Sequence, residues 1–294
     1  MNEIKLNLEA LPGLYQSADK ASIKAQSSYF LGLRLYLILL TLAALISFLW
    51  PKDCYSAILS AALFLITLGI LVILRVKRPD DIWYNGRAVA ESVKTRAWRW
   101  VMRADPYENT DNLEIVSKQF INDLKAILYQ NKNLSEALES ISGVNDAIST
   151  VMNSIRRLSV EERLTIYKEQ RIKNQANWYA SKSQFNKKRA KQWFWVSIFL
   201  HAIAIGMLLY RIKEPDMSLP VAVVATAAGA VLTWLQAKKY NELNSSYALA
   251  AHEIVLIKGE ALSVKNEKKL SEFVINSENA FSREHTQWTA KKVD

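Results

Sequence analysis

Four long apolar runs alternate with polar segments along the sequence. The runs cover residues 30–50, 56–74, 193–210 and 217–235, and Arg34 is the only charged residue in the first of them. A bilayer core about 30 Å thick needs roughly 20 apolar residues at a helical rise of about 1.5 Å per residue. Each run is long enough to cross that core with some tilt and with snorkelling ends. The pattern therefore predicts four membrane spans.

The spans come in two pairs. The short connectors 51–55 and 211–216 separate the members of each pair, so each pair is expected to form a tight antiparallel hairpin whose ends lie on one side. The connectors carry as many acidic as basic residues, which leaves the whole net charge of +10 on the other side. The positive-inside rule makes that side cytoplasmic. We expect a protein of the bacterial inner membrane with both termini and residues 76–192 in the cytoplasm.

The first polar segment is predicted to be helical, because 8 glycines and 6 prolines are too few for an all-β protein. Thr110 or Asp111 is the predicted N-cap of a helix with one apolar face. The residues of that face are Leu113, Val116, Phe120, Leu124 and Ile127. Four residues then interrupt the pattern: Ser142, Gly143, Asn145 and Asp146. They divide the chain into a first unit, 1–141, and a second unit, 142–294.

The second half is predicted to contain longer helices. Ser159 and Glu162 fit a capping box, and neither proline nor glycine occurs from there to Gly206, so one helix is expected to enter the third span. The helix of the fourth span is expected to continue through Tyr240, Tyr247 and Ile254. A final amphipathic helix carries Leu270, Phe273, Ser277, Phe281, Glu284 and Trp288 at helical spacing.

The two halves share the order helix, hairpin, helix, amphipathic helix. Ala88-Val-Ala-Glu91 after the first hairpin is echoed by Ala250-Ala-His-Glu253 after the second. Equal hairpin orientation would make this a parallel duplication, unlike the inverted repeats of many transporters. The predicted fold is an all-α membrane protein of two tandem units, each a two-helix transmembrane hairpin continued by long cytoplasmic helices that form a bundle.

An aromatic and basic face follows the first hairpin. Its residues step by four, four, three and four: Trp83, Arg87, Glu91, Lys94 and Trp98. Arg87 and Glu91 are spaced for an (i, i+4) ion pair, and Glu91 can also reach Lys94 or Thr95. A carboxylate within the basic stripe argues against nucleic-acid binding, and Trp98 lies too far from the span for an interfacial anchor. We interpret the face as a seam between helices, with a sensor or gating role as the alternative.

These residues resemble a family motif. Trp83-Tyr84, Arg87, Ala90-Glu91-Ser92, Lys94-Thr95, Trp98 and Pro106-Tyr107 resemble the motif of the SLATT superfamily, the two-transmembrane effector domains of prokaryotes. The second half resembles another branch through Tyr167, Arg171, Gln175, Trp178-Tyr179, Asn186, Tyr240, Leu243, Tyr247 and Glu253. The resemblances cover roughly residues 10–135 and 145–290. They imply a helical effector of conflict systems, encoded beside nucleotide-generating or nucleotide-sensing partners, that oligomerises into pores and halts or kills an infected cell.

Two features of the spans are candidates for helix packing or for a pore. His201 is the only ionisable residue near the centre of a span, and Ser197 lies one turn before it. Such residues pair inside a bundle or line a polar path, so we expect a hydrogen bond to a neighbouring helix, with pore lining as the alternative. The fourth span carries small residues at helical spacing: Ala222, Ala225, Thr226, Gly229 and Ala230. This spacing allows close helix approach, within one chain or between chains.

Enzymatic motifs are missing from the sequence. The three histidines lack metal-ligand spacing, and the chain has no phosphate-binding loop, nucleophile elbow or catalytic carboxylate pair. We therefore predict a non-enzyme without cofactor or metal. Its partners would be the membrane, copies of itself, and a nucleotide signal or a signal-sensing protein, but not nucleic acid. The alternative is a membrane-anchored helical scaffold or sensor that docks a cytosolic partner, and a transporter is disfavoured because broken helices are missing.

Overall fold

The described part of the chain is helical throughout. A computed structural model describes residues 4–108, 112–138 and 146–290, and of residues 283–290 it describes the backbone only. Within these ranges every regular element is a helix and no strand occurs. The predicted all-α class is therefore confirmed.

Ten α-helices follow one another in the described residues. They are α1 Gly13–Leu49, α2 Cys54–Lys77, α3 Pro79–Val101, α4 Leu113–Gln130, α5 Thr150–Arg156, α6 Val160–Tyr167, α7 Lys173–Lys213, α8 Val221–Lys238, α9 Tyr240–Glu260 and α10 Glu267–Ala290. A π turn, Lys168–Ile172, joins α6 to α7.

Four helical stretches are long and apolar enough to cross a membrane. They are Gly13–Leu49, Cys54–Val101, Val160–Lys213 and Val221–Ser263, and they contain the four predicted spans. At most 17% of the apolar window of each stretch is buried inside the chain. Core helices of a soluble protein are buried, whereas helices that face lipid are not, so these stretches have the exposure of membrane helices.

The chain divides into two compact units. We call the first the core unit; it comprises Met1–Ala25, Asp80–Lys182 and Ser246–Asp294. The second, the span unit, comprises Gln26–Pro79 and Ser183–Ser245. Each unit takes residues from both halves of the sequence. The predicted tandem boundary falls on residues that are mostly outside the described ranges, and it stays a prediction.

The start of α4 differs from the prediction. Thr110 and Asp111, the predicted caps, lie outside the described residues, and the N-cap is Asn112, whose side chain accepts a hydrogen bond from the Ile115 N–H at 3.1 Å. The predicted position was therefore wrong by one or two residues, because three successive residues can all act as caps. The helix buries the centre of its predicted apolar face, namely Val116, Phe120 and Leu124.

The long helix into the third span is confirmed, with one irregularity. The Ser159 hydroxyl accepts from the Glu162 N–H at 3.3 Å, and the Ser159 N–H donates to the Glu162 carboxylate at 3.0 Å, which completes the predicted capping box. The helical backbone then continues to Lys213. The π turn at Lys168–Ile172 was not predicted, since a single turn of different pitch leaves no periodic pattern.

The helix after the fourth span is broken, contrary to the prediction. Lys239 has a left-handed backbone, with φ of 48°, and its N–H bonds the Leu235 carbonyl at 3.0 Å. Arg78 has φ of 42° after the second span, and its N–H bonds the Leu74 carbonyl at 3.1 Å. The break at Arg78 precedes a proline, which disfavours helical backbone in the residue before it. The break at Lys239 has no proline after it, so its recurrence at the same place behind a span favours duplication of a common unit.

Helix α3 runs through the hydrophobic core of the core unit. Its buried residues include Val89, Ala90, Val93, Ala97, Trp98, Trp100 and Val101. Helix α1 approaches it closely at Gly86, where an added Cβ would lie 3.0 Å from the Ala18 carbonyl oxygen and 3.2 Å from Ser22. The Ser22 hydroxyl donates to the Trp83 carbonyl at 2.9 Å in the same contact. Backbone therefore packs on backbone here, which only glycine allows.

We predict that Gly86→Leu lowers the free energy of unfolding by about 1–3 kcal/mol, because the side chain must displace the backbone of α1. Gly259→Leu is the matched control, since a Cβ there meets nothing within 4 Å, and it should gain up to roughly 1 kcal/mol from helix propensity. The apparent melting temperature of the full chain in neutral detergent measures both. Equal melting of Gly86→Leu and wild type would contradict the close packing.

Candidate functional site

The polar face of α3 forms an ionic network inside the core unit. Arg87 Nη2 lies 2.8 Å from Glu91 Oε1, so the predicted (i, i+4) ion pair is present. Arg87 Nη1 also lies 3.4 Å from Asp19 Oδ1 on α1. Lys94 Nζ lies 3.8 Å from Glu91 Oε2. Two cations and two carboxylates thus alternate across the contact between α1 and α3.

Burial and charge shift the pKa values in this network. Burial lowers the pKa of Lys94, although Glu91 opposes the shift. Burial also acts to lower the pKa of Arg87, but Glu91 and Asp19 outweigh it and raise this pKa. The pKa of Tyr15 is raised to about 12, first by burial and then by Asp19 and Glu91. Burial, with the carboxylates, therefore keeps the Tyr15 phenol protonated, and the carboxylates keep Arg87 charged, at physiological pH.

An aromatic cluster lies against the network. The Arg87 guanidinium carbon is 5.9 Å from the ring centroid of Trp178 on α7. This ring packs against Tyr179 and Tyr247, with centroid separations of 5.0 and 5.4 Å. Ring pairs with a member on α3 include Trp83–Tyr84 at 4.6 Å and Trp98–Tyr167 at 5.6 Å. Motif residues from the two halves of the sequence therefore contact each other, Arg87 with Trp178 and Trp98 with Tyr167.

A second ionic group is centred on Glu278 of α10, whose side chain is 0% exposed. Arg171 Nε and Nη2 donate to its two carboxylate oxygens at 2.8 and 2.7 Å. The hydroxyls of Tyr167 and Thr95 donate to the same carboxylate at 2.9 and 2.8 Å. Four hydrogen bonds thus satisfy one buried charge. Thr95 belongs to the first half of the sequence, and the other three residues belong to the second.

The π turn presents Arg171 to this carboxylate. The turn buries Arg171 together with its neighbour Ile172. The guanidinium carbon lies 4.9 Å from the ring centroid of Phe281 on α10. Its Nη1 has no hydrogen-bond partner among the described residues. Burial raises the pKa of Tyr167 well above its usual value, so the phenol retains the proton that it donates.

Two further buried arginines bind the end of α3. Arg156 donates to the Trp100 carbonyl, and Arg163 donates to the Met102 carbonyl at 2.7 Å. Arg163 also pairs with Glu267 at the start of α10. The last carbonyl groups of a helix lack intrahelical donors and carry partial negative charge, so cations are favoured there. The two arginines therefore donate to free carbonyl groups at the end of α3, and they also hold α5, α6 and α10 against that end.

The predicted site did not include Arg156, Arg163 or Glu278. Glu278 lies on the apolar stripe of α10, four residues after Val274 and three before Phe281. A carboxylate at a core position needs hydrogen-bond donors, so the place of Glu278 on the apolar stripe was the signal in the sequence that could have identified it. The two arginines lie in short helices, where periodicity gives no comparable indication.

Two predicted motif residues lie on α9. Tyr240 is buried at the start of α9 and belongs to the span unit. Glu253 lies half-buried on the same helix in the core unit. In the described residues no group of His, Cys, Asp or Glu side chains could hold a metal ion.

His201 lies exposed on α7, in an apolar window of which 0% is buried inside the chain. Its Nδ1 lies 2.7 Å from the Ser197 carbonyl oxygen, one turn earlier on the same helix. A carbonyl only accepts, so Nδ1 carries the proton in this contact. The bond therefore goes to its own helix and to the backbone of Ser197. The expected bond to a neighbouring helix is not formed within the described chain.

The small residues of α8 differ in exposure. Ala222, Ala225 and Gly229 are exposed, whereas Thr226 and Ala230 are half-buried. A Cβ added at Gly229 would meet nothing within 4 Å. Ala228 and Trp234 on the same helix are buried within the chain. The described residues therefore leave Ala222, Ala225 and Gly229 uncovered, and we call these three the small-residue face.

Two family models match the chain. The model described as SMODS and SLOG-associating 2TM effector domain 3 matches residues 12–164, and the model of domain 1 matches residues 167–288. The first match alone covers more than half of the chain. The chain belongs to the SLATT family. No curated protein and no solved structure matches the SLATT chain.

The matches confirm the resemblance found in the sequence, including its two tandem copies. SLATT domains are described as two-transmembrane effector domains that associate with SMODS and SLOG. Two such domains agree with the four candidate spans, so the SLATT chain is a membrane protein with an effector role. Thr95 lies within the first match and Glu278 within the second, so one buried carboxylate links the two domains.

We predict that Glu278→Gln lowers the free energy of unfolding by about 3–5 kcal/mol, because it leaves the Arg171 guanidinium buried without its counter-charge. The double variant Arg171→Met with Glu278→Leu should recover part of this loss, since it removes both charges. Glu169→Gln is the control. It breaks a pair with Lys173 of similar length, 2.6 Å, whose side chains are 50% and 55% exposed, and it should leave the melting temperature close to that of the wild type.

Thermal unfolding of the full chain in neutral detergent, followed by circular dichroism, measures all three variants. The buried pair would not hold α10 in place if Glu278→Gln had the melting temperature of the wild type. The same conclusion would follow if the double variant were no more stable than Glu278→Gln.

Proposed function

We propose that the SLATT chain is an effector of a prokaryotic antiviral defence system that self-associates and permeabilises the inner membrane upon a signal. The observation that carries the proposal is the uncovered small-residue face of α8, with Ala222, Ala225 and Gly229 exposed. Lipid tails offer no hydrophobic gain for association, so membrane helices associate by close packing of small residues. A second copy of the chain fits such a face.

The position of His201 supports the permeation part of the proposal. The side chain is exposed in the apolar window of α7. A polar imidazole that faces hydrocarbon is costly, and intramembrane ionisable residues commonly line aqueous paths. In a homo-oligomer, α7 would turn His201 toward such a path.

The basic surplus supports the orientation. The connectors at 51–55 and 211–216 are neutral overall, and the remaining chain carries the whole +10. The positive-inside rule then places both termini and residues 76–192 in the cytoplasm. A nucleotide signal or a signal-sensing protein would act on this side, and the described association with SMODS and SLOG favours such a partner.

Induced expression tests the proposal. We expect the wild type to depolarise cells and stop growth, and the variant Ala225→Leu with Gly229→Leu to do neither, because the two leucines prevent close helix approach. Gly69→Leu on α2 is the matched control, since a Cβ there also meets nothing within 4 Å, and it should retain toxicity. Membrane potential is followed with a voltage-sensitive dye, and membrane fractionation verifies equal insertion.

Two outcomes would contradict the proposal. Depolarisation by the Ala225→Leu and Gly229→Leu variant at the wild-type level would exclude α8 as the interface. An unchanged membrane potential at high wild-type expression, with a cytosolic protein retained on the membrane, would favour the anchored scaffold instead.

A further inference from the structure

Two cations of the span unit lie over the same tryptophan. The Arg34 guanidinium carbon is 5.0 Å from the ring centroid of Trp234, and Lys238 Nζ is also 5.0 Å from it. Lys238 Nζ lies 3.1 Å from the ring centroid of Phe30 as well. Arg34 and Phe30 belong to α1, whereas Trp234 and Lys238 belong to α8. Helices α1 and α8 thus bring two positive charges close to one aromatic ring.

Within the described part of the chain these cations have no counter-charge. No carboxylate lies within ion-pair distance of Arg34 or Lys238 among the residues that the structure describes. In the core unit, by contrast, Arg87, Arg163 and Arg171 each have one. Two like charges held together beside hydrocarbon are unfavourable without an anion. An external anion would balance both charges.

The tryptophan between them also has an unmet donor. Trp234 is 6% exposed, and its buried Nε1 has no hydrogen-bond acceptor within the described ranges. An indole N–H can only donate, and a buried donor without an acceptor is costly. The ring of Trp193 on α7 lies beside it, with a centroid separation of 6.3 Å. A ligand that carries acceptor oxygens would satisfy the donor and both cations.

We propose that Arg34, Lys238 and Trp234 bind the headgroup phosphate of an anionic phospholipid. Basic pockets between membrane helices bind anionic headgroups on the cytoplasmic side, where the leaflet is negatively charged. Arg34 lies near the start of the first apolar run, and the apolar residues that flank it on the same side of α1 are exposed: Leu31, Leu35 and Ile38. Acyl chains would cover these residues while the phosphate meets the cations.

Lipid binding goes beyond the proposed permeabilisation and rests on the proposed function only for the cytoplasmic orientation of this end of the helices. It is measured on the full chain in neutral detergent, where no pore is needed. Native mass spectrometry counts bound phosphatidylglycerol against phosphatidylcholine as the lipid concentration rises. The variant Arg34→Gln with Lys238→Gln should bind phosphatidylglycerol about thirtyfold more weakly than the wild type, because two basic contacts are lost.

The variant Arg75→Gln with Lys77→Gln is the matched control. It removes the same charge from exposed residues at the end of α2, so it should keep wild-type affinity. Trp234→Phe keeps the ring and removes only the N–H, and it should weaken phosphatidylglycerol binding without a change in charge. Circular dichroism verifies that each variant folds. If the double variant does not fold, the phosphatidylglycerol affinity of Trp234→Phe tests the proposed site.

Four results would overturn the assignment. Equal binding of phosphatidylcholine, or equal losses in the two charge variants, would show that no specific headgroup site exists. If Trp234→Phe and the double variant Arg34→Gln with Lys238→Gln both bind phosphatidylglycerol with wild-type affinity, these residues do not form a headgroup site. Complete displacement of phosphatidylglycerol by inorganic phosphate, at an ionic strength where chloride does not displace it, would identify a soluble anion as the ligand.

Discussion

The buried carboxylate of Glu278 is the constraint on which the core unit depends. A charge in a protein interior costs several kcal/mol unless donors and a counter-ion satisfy it. Arg171, Tyr167 and Thr95 supply four hydrogen bonds between them. Since Thr95 lies on α3 and the other donors lie on the helix that becomes α7, α10 can only dock when residues from both SLATT domains are in place. The two domains therefore complete one interior.

The ionic network of α3 extends this interior toward α1. Arg87 joins Glu91 to Asp19, and its guanidinium also lies near the ring of Trp178. Replacement of buried charges by apolar residues is often neutral for stability, whereas removal of one partner is not. Removal of one partner from either ionic group should therefore destabilise the core unit. The span unit differs from the core unit because its apolar windows and the small-residue face of α8 are exposed in the single chain. Lipid or another chain can cover them.

Much of the helical architecture could be predicted from the sequence, because length, apolar composition and capping residues are local properties. The spans, the Ser159 capping box and the Arg87 to Glu91 pair all follow from spacing within one helix. The π turn, the break at Lys239 and the donors of Glu278 do not, since each depends on residues that are distant in sequence or on a single irregular turn. Spacing along one helix cannot show which side chain of another helix lies opposite.

Hydrogen exchange on the full chain in detergent, read by mass spectrometry, tests most directly whether the two SLATT domains share one interior. The account predicts that the buried segments of α3 and α10 open together, with the same protection, and that Glu278→Gln lowers the protection of both. Rapid exchange throughout α10 while α3 stays protected, in the wild type, would contradict it, because the carboxylate would then not join the two domains.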